Sequence, residues 1–172
     1  MAGATPRELD PAALGDHVDR LYRAAWAMCG DRHDAEDLVQ ETYARVLARP
    51  RLLRRDDDLG YLLRALHNVH VSRMRRAGRR VPEVPLDGLE AGPDAGLDVR
   101  APEAAYEVGE LFRAIAALPR ESAEAVVAVD VVGLSYAEAA AALRVKEATL
   151  TTRLFRARRR VARTLEPSGV HL

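Results

Sequence analysis

The sequence holds little that is aromatic: Phe, Trp and Tyr make up 5% of its 172 residues. That stock suits helices packed by alanine, leucine and valine far better than a β-sandwich core. Cys29 is the only cysteine, so neither an internal disulfide nor a cysteine zinc cluster can form. No unbroken apolar run approaches the roughly 18 to 20 residues that a membrane span needs. The first fifteen residues carry Pro6 and Pro11 and no basic stretch followed by an apolar one, so no secretory signal is expected and a cytosolic location is. Net charge is missing too, because 26 lysines and arginines balance 26 aspartates and glutamates.

Zero net charge taken alone argues against a nucleic-acid binder, which usually carries a basic excess to neutralise phosphates. The distribution argues the other way. Asp31, Asp34, Glu36, Asp37 and Glu41 form one acidic block, and a second runs from Glu83 to Glu110. Basic blocks alternate with them, first Arg73, Arg75, Arg76, Arg79 and Arg80, then a series from Arg144 to Arg163. Segregated charge points to more than one kind of partner.

Over residues 81–102 the helical periodicity stops, and Pro82, Pro85, Pro93 and Pro102 alternate with Gly88, Gly92 and Gly96 among acids. Proline removes helix donors and glycine raises the entropic cost of ordering, so this stretch reads as a linker. The expected fold is therefore all-α, with two small helical domains, residues 12–80 and 103–166, joined by a flexible acidic linker over 81–102.

In the first domain a helix is predicted over 17–28, ended by Gly30. Asp31 or Asp34 offers the N-cap of the next, which runs to about Ala48 with Leu38, Thr42, Val46 and Leu47 as its inner stripe. A third helix over 59–76 places Leu62, Leu66 and Val69 on one face. In the second domain a helix over 102–117 precedes one that starts near Pro119 and stops at Gly133. Ser135 with Glu138 is a capping box for a short helix over 136–143, and a long basic helix follows over 147–165. Short helix, tight turn and long basic helix make the helix-turn-helix pattern.

On that long helix Leu150, Leu154, Ala157, Val161 and Leu165 repeat at about 100° per residue and define a core stripe. Thr151, Thr152, Phe155, Arg156 and Arg159 then fall on the opposite, wet face. Arginine can grip guanine or phosphate, threonine can bond base edges, and an exposed aromatic can pack on thymine methyls.

The run LPRESAEAVVAVDVVGLSYAEAAAALRVKEATLTTRLFRARRRV (residues 118–161) resembles the fourth region of extracytoplasmic-function (ECF) sigma factors, and GDRHDAEDLVQETYARVL (residues 30–47) resembles their region 2.2. The resemblance implies a sigma-2 domain followed by a sigma-4 domain, with core RNA polymerase and promoter DNA as partners and an anti-sigma factor as a candidate regulator. Asp34, Asp37, Gln40 and Glu41 would dock on a coiled coil of the polymerase's largest subunit, consistent with an acidic stripe at i, i+3, i+7 facing a basic helix. Asn68 with Arg73, Arg75, Arg76, Arg79 and Arg80 would hold the opened minus-ten element. Thr151, Thr152, Phe155, Arg156 and Arg159 would read the minus-thirty-five element. The chain departs from the family pattern at Ser72, where aspartate is usual, and at Arg144, which replaces the glycine of the turn; a left-handed conformation there would cost roughly 1 kcal/mol.

Two other classes remain. A free-standing helix-turn-helix regulator would share the second domain and bind duplex DNA without polymerase. An enzyme would need a site, and carboxylates with His33, His67 and His70 could build a metal centre between helices. No Glu-x-x-His pair recurs on two helices, however, and no nucleophile stands beside a base. No catalytic activity, metal or cofactor is therefore expected.

Overall fold

The structure, a computed structural model, describes residues 7–48, 52–53, 58–78 and 102–166. The expected linker over 81–102 lies, save for Pro102, outside the described residues. A 3-10 turn at Pro11–His17 leads into α1 (Val18–Cys29), followed by α2 (Arg32–Ala48) and α3 (Asp58–Ala77). Two-residue strands, β1 (Arg7–Glu8) and β2 (Leu52–Leu53), pair antiparallel with Arg7 opposite Leu53. They are a small addition to the expected helical fold. The later segment holds α4 (Pro102–Ala116), α5 (Arg120–Val126), a π-helical turn (Val127–Val131), α6 (Tyr136–Leu143) and α7 (Glu147–Leu165).

Local chemistry sets these boundaries. Gly30 takes a left-handed φ of 76° and its N–H bonds to the carbonyl of Trp26 at 2.7 Å, which ends α1. A Cβ at Gly30 would also stand 3.1 Å from that of Ala116, so glycine is needed here for conformation and for the approach of α4. Asp31, rather than Asp34, caps α2: its Oδ1 accepts from the N–H groups of His33 and Asp34 at 2.8 and 3.0 Å. Leu38, Thr42 and Val46 form the inner stripe of α2, and the Thr42 hydroxyl is satisfied by donating to the Leu38 carbonyl at 2.7 Å. Leu47, expected in that stripe, is 50% exposed, because it sits about 100° around the helix from Val46.

The predicted face of α3, Leu62, Leu66 and Val69, is buried. Trp26 of α1 meets Phe112 of α4 edge to face, with centroids 4.9 Å apart, and the Arg32 guanidinium covers the indole 4.4 Å from its centroid. Such an aromatic pair adds about 0.5–1.5 kcal/mol beyond the area it buries. One apolar core therefore runs through both segments, which pack along α1 with α4 and along α3 with α6. The core of the later segment sets small side chains, including Ala123, Ala125, Val127, Ala139 and Ala142, against larger ones such as Phe112, Ile115, Leu150 and Leu154.

The helix expected from Pro119 to Gly133 is not uniform. After Val126 it widens, and the Val132 N–H reaches back five residues to the Val127 carbonyl at 2.9 Å. Gly133, at φ 83°, closes it.

Candidate nucleic-acid and polymerase interfaces

The helix-turn-helix is held by local bonds. Ser135 Oγ accepts from the Glu138 N–H at 3.2 Å while the Glu138 carboxylate accepts from the Ser135 N–H at 2.8 Å, so both halves of the capping box are made. Those two bonds, side chain and backbone, hold the Glu138 carboxyl below its ordinary value. Arg144 caps α6 in the left-handed region, at φ 56° and ψ 44°, and is the one non-glycine residue with positive φ among the described residues. Val145 then bonds back to the Ala140 carbonyl at 3.0 Å, turning the chain into α7.

Leu150, Leu154 and Ala157 seat α7 in the core, and Val161 is partly buried. Leu165 leaves the expected stripe at 41% exposure, since α7 outruns the helices beneath it. The opposite face carries Thr151, Thr152, Phe155, Arg156 and Arg159, all exposed. Both threonine hydroxyls donate back to the helix, Thr151 to the Glu147 carbonyl at 2.9 Å and Thr152 to that of Ala148 at 3.0 Å. With those protons committed, each side chain offers a partner only an acceptor oxygen and a methyl group. Phe155 is 62% exposed, and Arg159 lies over its ring at 5.6 Å. Arg156 has no acidic partner among the described residues.

The first segment presents two further faces. On α2, Asp34, Asp37 and Gln40 are exposed. Glu41 turns toward α3 instead, where it accepts from Arg73 Nε at 2.7 Å and from Arg45. Partial burial works against its ionisation, yet the bonds and charges of Arg73 and Arg45 hold its carboxyl below the ordinary range. Arg73 also donates to the Asp37 carbonyl at 2.9 Å. On α3, Asn68 is exposed and its carbonyl accepts from Ser72 Oγ at 2.8 Å. Arg75 and Arg76 are exposed at the end of the helix, and Arg79 and Arg80 lie outside the described residues. Asn68 opens into a cavity of about 550 Å³ whose other wall is Glu124, Leu143 and Arg144 of the later segment.

The residues considered for an enzyme do not assemble. His67 and His70 share α3, but no group of three or more histidine, cysteine, aspartate or glutamate side chains is placed to hold a metal among the described residues. Burial, with the nearby Asp34 charge, pushes the Cys29 thiol up to about 12, so it is not a thiolate at neutral pH. No helix among the described residues is long and apolar enough to cross a membrane.

Residues 14–80 match the family model described as "Sigma-70 region 2", and residues 109–161 match "Sigma-70, region 4". The "ECF RNA polymerase sigma factor SigM" of Mycobacterium tuberculosis is 35% identical over 150 residues, which cover 87% of this chain and 73% of the relative. The chain belongs to the ECF RNA polymerase sigma factor family. A second relative, the "ECF RNA polymerase sigma factor SigE" of Mycolicibacterium smegmatis, is 36% identical over 149 residues, covering 84% of this chain; the match spans 57% of that relative's length. Among solved structures, the sigma factor RpoE of Bartonella quintana, in complex with the anti-sigma factor NepR, superimposes with a TM-score of 0.64. It is 23% identical and covers 92% of this chain and 99% of that one, a likeness of fold.

Within this sigma-factor frame the region 2 match takes in α1, α2 and α3, and the region 4 match ends within α7. The structure brings Thr151, Thr152, Phe155, Arg156 and Arg159 onto one surface, and Asp34, Asp37 and Gln40 onto another. It separates Glu41 from the latter by tying it to α3. Sequence reasoning passed over Glu121, Glu124 and Asp130, each of which meets a residue far away in the chain. No local pattern signals such partners.

Proposed function

We propose that this sigma factor binds core RNA polymerase through the exposed α2 face and reads promoter DNA with α3 and α7, directing transcription initiation. The observation that carries this reading is the coexistence, on one chain, of a capped helix-turn-helix with an exposed threonine, phenylalanine and arginine face and an acidic helix face on which the Asp34 and Asp37 carboxylates form no ion pair among the described residues. Residues 12–80 serve as the docking and minus-ten domain, 103–166 as the minus-thirty-five domain, and 81–102 as their tether. Asn68, Arg75 and Arg76, with Arg79 and Arg80, hold the opened strand; Arg73 contributes there through its charge while bonded to Glu41. Thr151, Thr152, Phe155, Arg156 and Arg159 read the upstream element. Because Asn68 opens onto a cavity walled by the later segment, capture of the opened strand requires the two segments to part, and polymerase binding drives that separation. The protein works in the cytoplasm, has no catalytic activity of its own, and is held in check by an anti-sigma factor, as NepR is paired with its Bartonella relative.

Run-off transcription with core polymerase on a randomised promoter library tests the reading. Wild-type protein should select a two-part element, and Asp34→Lys with Asp37→Lys should abolish transcription at low salt while leaving the fold intact. Reversal of Glu41 is a poorer probe, since it would also break the tie to Arg73. Tight, sequence-selective binding of the isolated chain to duplex DNA, with no effect of core polymerase, would favour a free-standing regulator instead.

A further inference from the structure

Two of the arginines on α7 that composition alone would assign to DNA are occupied within the protein. Arg153 Nη2 donates to Glu121 Oε2 at 2.6 Å, and Arg158 makes a two-point contact with Asp130, Nε to Oδ2 at 3.0 Å and Nη2 to Oδ1 at 2.7 Å. The Tyr136 hydroxyl, at 3.5 Å, lies at the edge of the same cluster. At about 100° per residue, Arg153 and Arg158 stand on opposite edges of the buried stripe of Leu150, Leu154 and Ala157. One edge of α7 is thereby fastened to the start of α5 and the other to the π-helical turn that follows α5.

The π-helical turn makes the second fastening possible. Glu121 and Asp130 are nine residues apart, which in a straight α-helix is about 900° and would put them on opposite faces. The wider turn over Val127–Val131 advances less per residue and brings Asp130 around to the side where α7 lies. Partly exposed ion pairs of this kind add little stability. What they do fix is the roll of α7 about its own axis, because rotation in either sense stretches one pair.

We infer that Glu121 and Asp130 are positioning residues for promoter reading: by holding Arg153 and Arg158 they set the roll of α7 and so decide which side chains of the Thr152, Phe155, Arg156 and Arg159 face meet the bases. This rests on the proposed role of α7 in reading the upstream element. It assigns a use to two acids that, lying beside a DNA-facing helix, would otherwise only repel phosphate.

The two possibilities predict opposite results. Full-length protein in complex with core polymerase is titrated onto two duplexes, one carrying the upstream element that wild-type holoenzyme selects from a random pool and one with that element scrambled. Asp130→Asn and Glu121→Gln should each lower the matched-to-scrambled affinity ratio roughly fivefold or more, as expected for coupling between touching groups, while thermal unfolding stays near wild type. The exchanged pair, Asp130→Arg with Arg158→Asp, should recover most of the ratio. If the acids merely repel DNA, neutralising them would tighten binding to both duplexes alike, raise the salt slope by about one as the freed arginine gains a phosphate, and leave the ratio unchanged; that result, or failure of the exchanged pair to recover the ratio, overturns the inference. A wild-type ratio of one would instead overturn the reading of α7 itself, and the inference with it.

Discussion

Helices α3 and α7 both look, as sequence, like arginine-rich DNA-facing helices, yet the structure gives their arginines different employment. On α3 the inward arginine, Arg73, bonds to Glu41 and to the Asp37 carbonyl of a neighbouring helix, while Arg75 at the helix end stays exposed and Arg76, also exposed, reaches Glu41 only at 3.9 Å. On α7 the division runs around the axis: Arg153 and Arg158 on the flanks are paired, and Arg156 and Arg159 on the outward face are not paired to acids among the described residues. The comparison teaches that position around a helix, rather than the density of charge along it, sorts cations into those that build the protein and those that meet a partner.

The sharpest way to break this sorting is on α3. Arg73→Ala should destabilise the protein by about 1.5–3 kcal/mol, the worth of hydrogen bonds to charged groups in a half-buried setting, whereas Arg75→Ala should stay within about 0.5 kcal/mol. Urea denaturation of both variants checks this; equal losses would dissolve the distinction. On α7, Arg156→Ala should cost roughly 1–3 kcal/mol of preference at one or two base pairs, while Arg160→Ala should weaken all sequences about equally and lower the salt slope by about one. Matched and mismatched upstream elements, titrated at two salt concentrations, separate the two.

A smaller effect belongs to the turn that connects the two helices of the motif. Arg144 holds a left-handed conformation that glycine adopts without a Cβ penalty. Arg144→Gly should stabilise the protein by about 0.5–1 kcal/mol, the relief of strain being partly offset by the greater freedom of glycine in the unfolded chain. A thermal melt that falls instead would show that the Arg144 side chain itself contributes a contact.

The smallest effect is a pH dependence at the joint between the segments. Burial, aided by Arg120, holds the His67 imidazole below its ordinary 6.5, even though Glu124 lies 3.4 Å away. Burial, His67 and Arg73 lower His70 likewise, against the pull of Asp34. The unfolded chain therefore binds these protons more readily than the folded one, so the stability is complete above about pH 6.5 and is lost as the pH falls below it. Glu124, raised by burial above its ordinary 4.5, works in the opposite sense. Stability should thus decline as the pH falls below about 6.5, and His67→Gln should flatten the decline; an unchanged slope in that variant would place the titration elsewhere.

Much of this organisation is legible in sequence wherever the cause is local. The capping box of Ser135 and Glu138, the left-handed stop at Gly30, the face of Leu62, Leu66 and Val69, and the wet face of α7 all follow from spacing within one helix. What escaped is set by partners distant in the chain. Nothing within α2 says that Glu41 turns from the acidic face to Arg73, and nothing near Asp130 says that a π-helical turn will swing it toward Arg158. Leu47 and Leu165 show the complementary error: an apolar residue extends a pattern on paper, but Leu47 lies around the helix from the buried face and Leu165 beyond the helices that α7 packs on among the described residues.

The contact of Trp26 with Phe112 has a quantitative consequence for promoter affinity. Under the proposed mechanism only the parted form engages both promoter elements, and its fraction scales the observed binding constant. Each 1.4 kcal/mol by which the packed form is favoured lowers the apparent affinity about tenfold. The edge-to-face ring pair alone, at about 0.5–1.5 kcal/mol, would on that mechanism lower the free protein's affinity by up to roughly a decade, and weakening Phe112 should raise promoter occupancy without altering a residue proposed to touch DNA.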